Sequence, residues 1–206
     1  QIANRLSFNT GRYQAGLRYE EPNDFSNHLV SLDVSWDLGF AEATFVYGES
    51  EYEEQGQRDQ TDLILDFEYG YEFFPSFSAF TREIVDEESE TLEVRVISQY
   101  ESKFSWTIGY FENDLDSDAT SEEFTPGFDQ FAVDNFGGVQ LRPDNLEYIE
   151  LTDQYEKETA FYGELTYQAT DYLSFTVGYR DYEFEVDSRG GFGLPLFDTV
   201  FLGEPQ

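Results

Sequence analysis

The chain has 206 residues, 39% of them hydrophobic and 18% aromatic, with 44 Asp and Glu against 11 Lys and Arg, a net charge of −33, and no Cys or Met. Without cysteine there are no disulfides or thiolate-held metals, and the acidic balance excludes a nucleic-acid binder, whose phosphate partner needs a basic patch. The 15 Tyr, 21 Phe and 2 Trp exceed what a disordered acidic chain carries, so they require a core or a membrane.

Helical periodicity is scarce and period two is frequent. Residues 1–27 read as the outer end of an earlier strand plus its loop. Strands are then predicted at about 29–37, 40–48, 88–100, 104–112, 157–168 and 173–186. They form three hairpins around the turns Asp37-Leu38-Gly39, Glu101-Ser102-Lys103 and Ala169-Thr170-Asp171-Tyr172. In the first, Val30, Leu32, Val34 and Trp36 alternate with Ser31, Asp33 and Ser35, and the return sets Ala41, Ala43, Phe45 and Tyr47 against Glu42, Thr44 and Val46. In the second, Leu92, Val94 and Val96 oppose Glu93, Arg95, Ile97 and Gln99, before Phe104, Trp106, Ile108 and Tyr110 oppose Ser105, Thr107 and Gly109. The third sets Phe161, Gly163, Leu165 and Tyr167 against Tyr162, Glu164 and Thr166, then Leu173, Phe175, Val177 and Tyr179 against Ser174, Thr176, Gly178 and Arg180.

Each arm has one apolar and one mostly polar face, and its length matches the roughly 9–11 residues a tilted membrane strand needs. Aromatics sit at the arm ends, with Trp36, Phe40, Tyr100, Phe104 and Tyr172 near the turns and Tyr47, Tyr110 and Tyr179 at the far ends. Rings with a polar tip at both interfaces form the girdles of a membrane barrel; the same rings could instead fill a soluble sheet's core. The apolar runs are too short for a membrane-spanning helix. The expected fold is therefore all-β, an antiparallel up-and-down meander forming part of a large transmembrane β-barrel. Membrane barrels begin at about eight strands, so six strands alone make an open curved sheet with uncovered, aggregation-prone edges. Both chain ends read as cut from something longer.

The expected outer loops are residues 49–87, 113–156 and 187–206, within which Thr61 to Tyr71 alternates briefly, as a strand projecting above the membrane would. Asp114-Leu115-Asp116-Ser117-Asp118 begins like a calcium loop, but Ala119 stands where Gly is required and Thr125 where a bidentate Glu is required. It reads as a solvated acidic loop, or a weak divalent-ion contact facing lipopolysaccharide phosphates. Carboxylate pairs are too numerous to single out a glycosidase acid and base. His28 is the only histidine and reads as a surface residue. Gly190-Gly191-Phe192-Gly193 lacks phosphate-loop spacing and reads as loop. No metal site, cofactor or catalytic constellation stands out.

The polar positions Asp33, Glu42, Glu93, Arg95, Glu164 and Arg180 would line the lumen of a barrel, where charge is tolerated, or pair with neighbouring strands within the wall. Phe124, Phe128, Phe131 and Phe136 are loop candidates for ligand contact, or for packing the loop itself.

The stretch Leu29-Val30-Ser31-Leu32-Asp33-Val34-Ser35-Trp36-Asp37-Leu38-Gly39-Phe40-Ala41 resembles the strand–turn–strand of TonB-dependent outer-membrane receptors. So do Glu93-Val94-Arg95-Val96 and Phe104-Ser105-Trp106-Thr107-Ile108-Gly109-Tyr110-Phe111. The strongest likeness is Glu158-Thr159-Ala160-Phe161-Tyr162-Gly163-Glu164-Leu165-Thr166-Tyr167, continued by Leu173-Ser174-Phe175-Thr176-Val177-Gly178-Tyr179-Arg180. The resemblance spans most of residues 29–186. It implies a barrel of about 22 strands with a plugged lumen, lying in the bacterial outer membrane against lipid bilayer and lipopolysaccharide. It further implies uptake of a scarce nutrient, a ferric siderophore, cobalamin or oligosaccharide, powered by the inner-membrane TonB complex. The plug and the segment that meets the transducer do not correspond to any residues here. A soluble acidic secreted β-domain binding carbohydrate through exposed aromatics is the competing expectation, and an acid-rich enzyme from a salty habitat is a third.

Overall fold

In the computed structural model, described for residues 17–61, 77–99 and 102–204, the chain forms one six-stranded sheet in the order β1-β2-β3-β4-β5-β6. The strands are β1 (Asn23–Asp37), β2 (Ala41–Asp59), β3 (Phe80–Ser98), β4 (Phe104–Phe124), β5 (Leu146–Thr170) and β6 (Leu173–Gly193). Every neighbouring pair is antiparallel and consecutive in sequence. The expected all-β meander is the observed fold. No second layer covers either face among the described residues: Leu32 is 54% exposed, Ile108 54% and Val177 72%. A soluble sandwich would have hidden all three.

Local chemistry fixes the short turns. Gly39 adopts a left-handed φ of +81°, which costs glycine nothing, and its N–H donates to Asp37 Oδ1 at 2.7 Å while Leu38 N–H donates to Ala41 O at 2.9 Å. At the third turn Tyr172 N–H donates to Thr170 Oγ1 at 3.3 Å. A register shift between Gln168 and Thr170 leads into that turn. Residue 101 of the second turn lies outside the described residues, but Ser102 Oγ accepts from Phe104 N–H at 3.1 Å.

The strands outrun their predicted outer ends. β1 begins at Asn23, inside the stretch expected to be loop. β2 continues to Asp59 and β3 starts at Phe80, which shortens the expected loop 49–87; β4 continues to Phe124 and β5 starts at Leu146, which shortens 113–156. β6 runs to Gly193, so Gly190-Gly191-Phe192-Gly193 is ladder, facing Thr152, Leu151, Glu150 and Ile149. Asp114, Asp116 and Asp118, expected in an acidic loop, sit in β4 opposite Glu90, Glu88 and Asp86. The cause is physical. Once both faces of a strand meet water, hydropathy no longer alternates, although the backbone ladder persists. Of the projecting strand expected at Thr61–Tyr71, all but Thr61 lies outside the described residues.

The remaining outer chain folds on itself. A helix α1 (Phe128–Phe136) is bracketed by Gly127 and Gly137, both left-handed. Beyond β6, a helical turn α2 (Pro195–Phe197) passes into a short π-helix (Asp198–Leu202) that ends at left-handed Gly203. Their apolar sides meet in a small core of Phe77, Phe128, Ala132, Leu196 and Val200.

Candidate functional site

The ladder registers sort side chains into two faces, because alternate residues of a strand point to opposite sides. On one face a row runs Trp36, Ala43, Val96, Ile108, Gly163, Tyr179, and the next row outward runs Val34, Phe45, Val94, Tyr110, Phe161, Asp181. This apolar band lies beside the short turns. Farther out the same face turns acidic, with Glu49 and Glu51 on β2, Glu88 and Glu90 on β3, and Asp114 and Asp116 on β4.

The frontier between band and acidic tier is slanted. Its outermost apolar residues are Val30, Tyr47, Leu92, Tyr110, Phe161 and Tyr179. Tyr47 faces Leu32, one alternate position short of Val30; Leu92 faces Tyr47; Tyr110 faces Val94; Phe161 faces Tyr110; and Tyr179 faces Gly163. Each shift runs toward the short turns. From β1 to β6 the frontier slips six residues across five strand spacings, about 20 Å along the strands against about 24 Å across them.

The six charged residues singled out by sequence all project from the opposite face. Arg95 and Arg180 share a register row with Ser35, Thr44, Gly109 and Tyr162; Asp33 and Glu93 share the next, with Val46, Phe111, Ala160 and Tyr182; Glu42 and Glu164 share a third. The sheet brings Glu93, Arg95 and Arg180 into one cluster through residues the sequence reading did not select. Tyr162 donates its hydroxyl to Glu93 Oε1 at 2.5 Å. Arg180 pairs with Glu158 and lies 5.8 Å over the Phe111 ring. Arg95 Nε is buried without a hydrogen-bond partner. Glu42 accepts from Gln99 at 3.0 Å, at the turn end of the face. Asp33, on edge strand β1, is exposed and lies a full strand away from Glu93.

On the acidic tier, Lys157 Nζ sits 2.6 Å from Glu112 Oε1 and 3.2 Å from Asp114 Oδ1, and Tyr155 donates to Asp114 at 2.7 Å. The Lys157 bond, then the Tyr110 hydroxyl, hold the Glu112 carboxyl below its usual range, and the two carboxylates raise the Lys157 ammonium above its own. On the opposite face, bonds from Tyr52 and Asn23 likewise lower Glu54. His28 is exposed and faces Glu51. No group of three or more His, Cys, Asp or Glu placed to hold a metal ion occurs among the described residues.

The loop aromatics mostly pack each other. Phe124 stacks on Phe80 at 4.9 Å, and Phe128 and Phe131 each lie 5.0 Å from Phe77. Phe136 meets Phe131 edge-on and remains 56% exposed. Arg142 ties the two outer segments together, donating to Thr199 Oγ1 at 2.9 Å and Pro195 O at 3.3 Å, while its backbone N–H donates to Asp129 at 3.1 Å.

No family model and no curated protein matches the chain. Among solved structures it is similar to the ferric yersiniabactin uptake receptor FyuA of Yersinia pestis, with a TM-score of 0.65 and 10% identity over 86% of this chain and 24% of that one. A weaker likeness, TM-score 0.44 at 10% identity, covers 86% of this chain and 31% of the siderophore receptor PiuA of Acinetobacter baumannii. The chain thus spans about a quarter of the first receptor's length. The six-strand meander has the fold of a section of that uptake receptor.

Proposed function

We propose that the chain forms part of the barrel wall of a TonB-dependent receptor in the bacterial outer membrane. Its apolar band faces the bilayer and its outer segments help capture a scarce solute such as a ferric siderophore, cobalamin or an oligosaccharide. The slanted frontier carries this reading. If it marks the membrane surface, the strands tilt by about 40° from the membrane normal, within the roughly 35–45° of outer-membrane barrels. A soluble sheet has no reason to step its apolar edge in one direction across all six strands. The uncovered band and the aromatics along both its borders support the same placement.

On this reading Asp33, Glu42, Glu93, Arg95, Glu164 and Arg180 face the lumen, which tolerates charge. The lateral edges of β1 and β6 continue into further wall. Energy comes from the TonB complex through parts of the receptor outside these residues, and the wall does no covalent chemistry. The test is fractionation and uptake by the full-length protein. Recovery in the outer-membrane fraction, together with loss of growth on one ferric chelate, cobalamin or oligosaccharide when its gene is deleted, supports the proposal. A full-length protein that is soluble and monodisperse without detergent overturns it.

A further inference from the structure

On β6 the alternation changes sides above the frontier. From Leu173 to Tyr179 the apolar side chains stand on the band face. Beyond Arg180, Asp181, Glu183, Glu185 and Asp187 take that face, and Tyr182, Phe184 and Val186 turn to the opposite one. These three are 66%, 53% and 52% exposed. Single exposed apolar residues need no account, but a continuous strip of them marks a contact surface. Its polar border is mixed. Glu158, the register partner of Phe184, pairs with Arg180, and Glu156, the partner of Val186, accepts from Gln154 at 2.5 Å. Among the described strand residues of this face outward of Arg180's row, the one cation is Arg58. Glu83, Glu87 and Glu150 stand there too, each accepting from a hydroxyl: Ser121 at 3.1 Å, Ser117 at 3.3 Å and Tyr148 at 2.9 Å.

We infer that the captured solute is an uncharged oligosaccharide, held on the inner wall of the barrel mouth with sugar rings against Tyr182 and Phe184 and hydroxyls on Glu156, Glu158 and Arg180. This assignment rests on the barrel-wall reading, which puts the strip outside the bilayer and facing inward, and narrows its solute to one class. An aromatic face is the negative side of the ring quadrupole, so it suits the C–H side of a sugar ring. A hydroxyl both donates and accepts, so it can meet the carboxylates and the guanidinium of this border alike. An anionic chelate would have to pass an acidic wall whose field opposes it. An ammonium would suit Glu156 but would stand beside the Arg180 guanidinium that already neutralises Glu158.

The test is titration calorimetry on the full-length protein in nanodiscs. The probes are maltohexaose, cellohexaose, laminarihexaose and xylohexaose, with ferric citrate as an anionic chelate and ferrioxamine B as a cationic one. The expected result is binding of at least one glycan, unchanged by added salt because no net charge is matched, and of neither chelate. Tyr182→Leu and Phe184→Leu should each weaken that binding by about tenfold, through loss of the aromatic face. Both variants leave the strip apolar, so a strip that only packs against other parts of the protein would not register the change. Wild-type affinity in both variants overturns the inference. So does binding confined to a chelate, or to none of the probes. A full-length protein that is soluble without detergent removes the barrel reading itself, whereas a membrane-embedded protein that takes only a chelate removes the sugar assignment alone.

Discussion

Tyr162 on β5 reaches across the whole width of β4 to donate its hydroxyl to Glu93 on β3, at 2.5 Å. It can do so because the β4 residue in its row is Gly109. A Cβ at that position would stand 2.3 Å from the Tyr162 ring, far inside contact distance. Gly109→Ala is therefore expected to displace the ring and break the bond, costing about 1–3 kcal/mol. Tyr162→Phe leaves the ring in place and removes only the donor, with a loss of about 1 kcal/mol. Urea unfolding of the full-length protein in lipid vesicles checks both, and the inverse ranking would contradict this geometry.

The Lys157 cluster predicts a specific pH response. Glu112 is held below the ordinary carboxylate range, first by the Lys157 bond, so its contribution to stability is present above that range and is lost as pH falls through the depressed value. Lys157 is raised above its ordinary value by Glu112 and Asp114, so its contribution is present below that ordinary value and is lost only as pH rises through the raised one. Near neutrality the pairing is intact. Lys157→Gln should be less stable than wild type at pH 7, and the gap should close in acid as Glu112 takes up its proton. Thermal scans of both proteins from neutral to acid pH read this out; a gap that widens in acid would refute it.

The outer segments should behave as one folded unit. Phe128 is 1% exposed, packed with Phe77, Leu196 and Val200, and its truncation to Ala costs about 3–5 kcal/mol. Because this small core is separate from the strand ladder, the expected result is local: protease cleavage within residues 125–145 and 194–204 while the strands stay protected. Arg142→Ala should loosen the same two segments to a lesser degree. Limited proteolysis with mass mapping distinguishes this from global unfolding.

Much of this architecture was legible in the sequence because of the contrast between faces. Where one side is apolar, as at Val30, Leu32, Val34 and Trp36, period two is loud and the strand is found. Where β2 runs on through Glu49, Glu51 and Glu53, both faces are polar and the same backbone is silent. The six charged residues share a face by parity alone, so strand periodicity sufficed to group them. Tyr162 was not selected, because its reach depends on Gly109 lying in its register row, and a sequence does not state register between strands. Packing of the loop by Phe128 was one of the two readings the sequence offered, but its partners Phe77, Leu196 and Val200 were not legible for the same reason: the members come from three separated segments.

Band height gives a further expectation. On β4 the apolar positions run from Phe104 to Tyr110, about 20 Å along the strand and about 15 Å after tilting. Outer-membrane bands are about 25 Å tall. A band this low, even extended by its aromatic rims, suits a thin hydrocarbon layer, since mismatch costs fractions of a kcal/mol per Å. The full-length protein should fold faster and resist denaturant better in short-chain than in long-chain phosphatidylcholine. The opposite dependence would indicate that the apolar band is not the hydrophobic belt.

Adjacent residues on β6 offer the sharpest test of which face meets lipid. Val177 belongs to the band and is 72% exposed; Thr176, one residue away, points to the other face and bonds Thr166 Oγ1 at 2.8 Å. A soluble, solvated sheet would accept Lys at either position with little difference. In a bilayer, Val177→Lys places an ammonium among acyl chains and should cost about 2–4 kcal/mol, whereas Thr176→Lys enters the lumen and should cost about 1 kcal/mol for the lost hydroxyl pair. Comparing urea unfolding of the two variants in lipid vesicles measures the difference directly. Equal penalties would mean that the apolar band does not face lipid, and the tilt inferred from its frontier would lose its meaning.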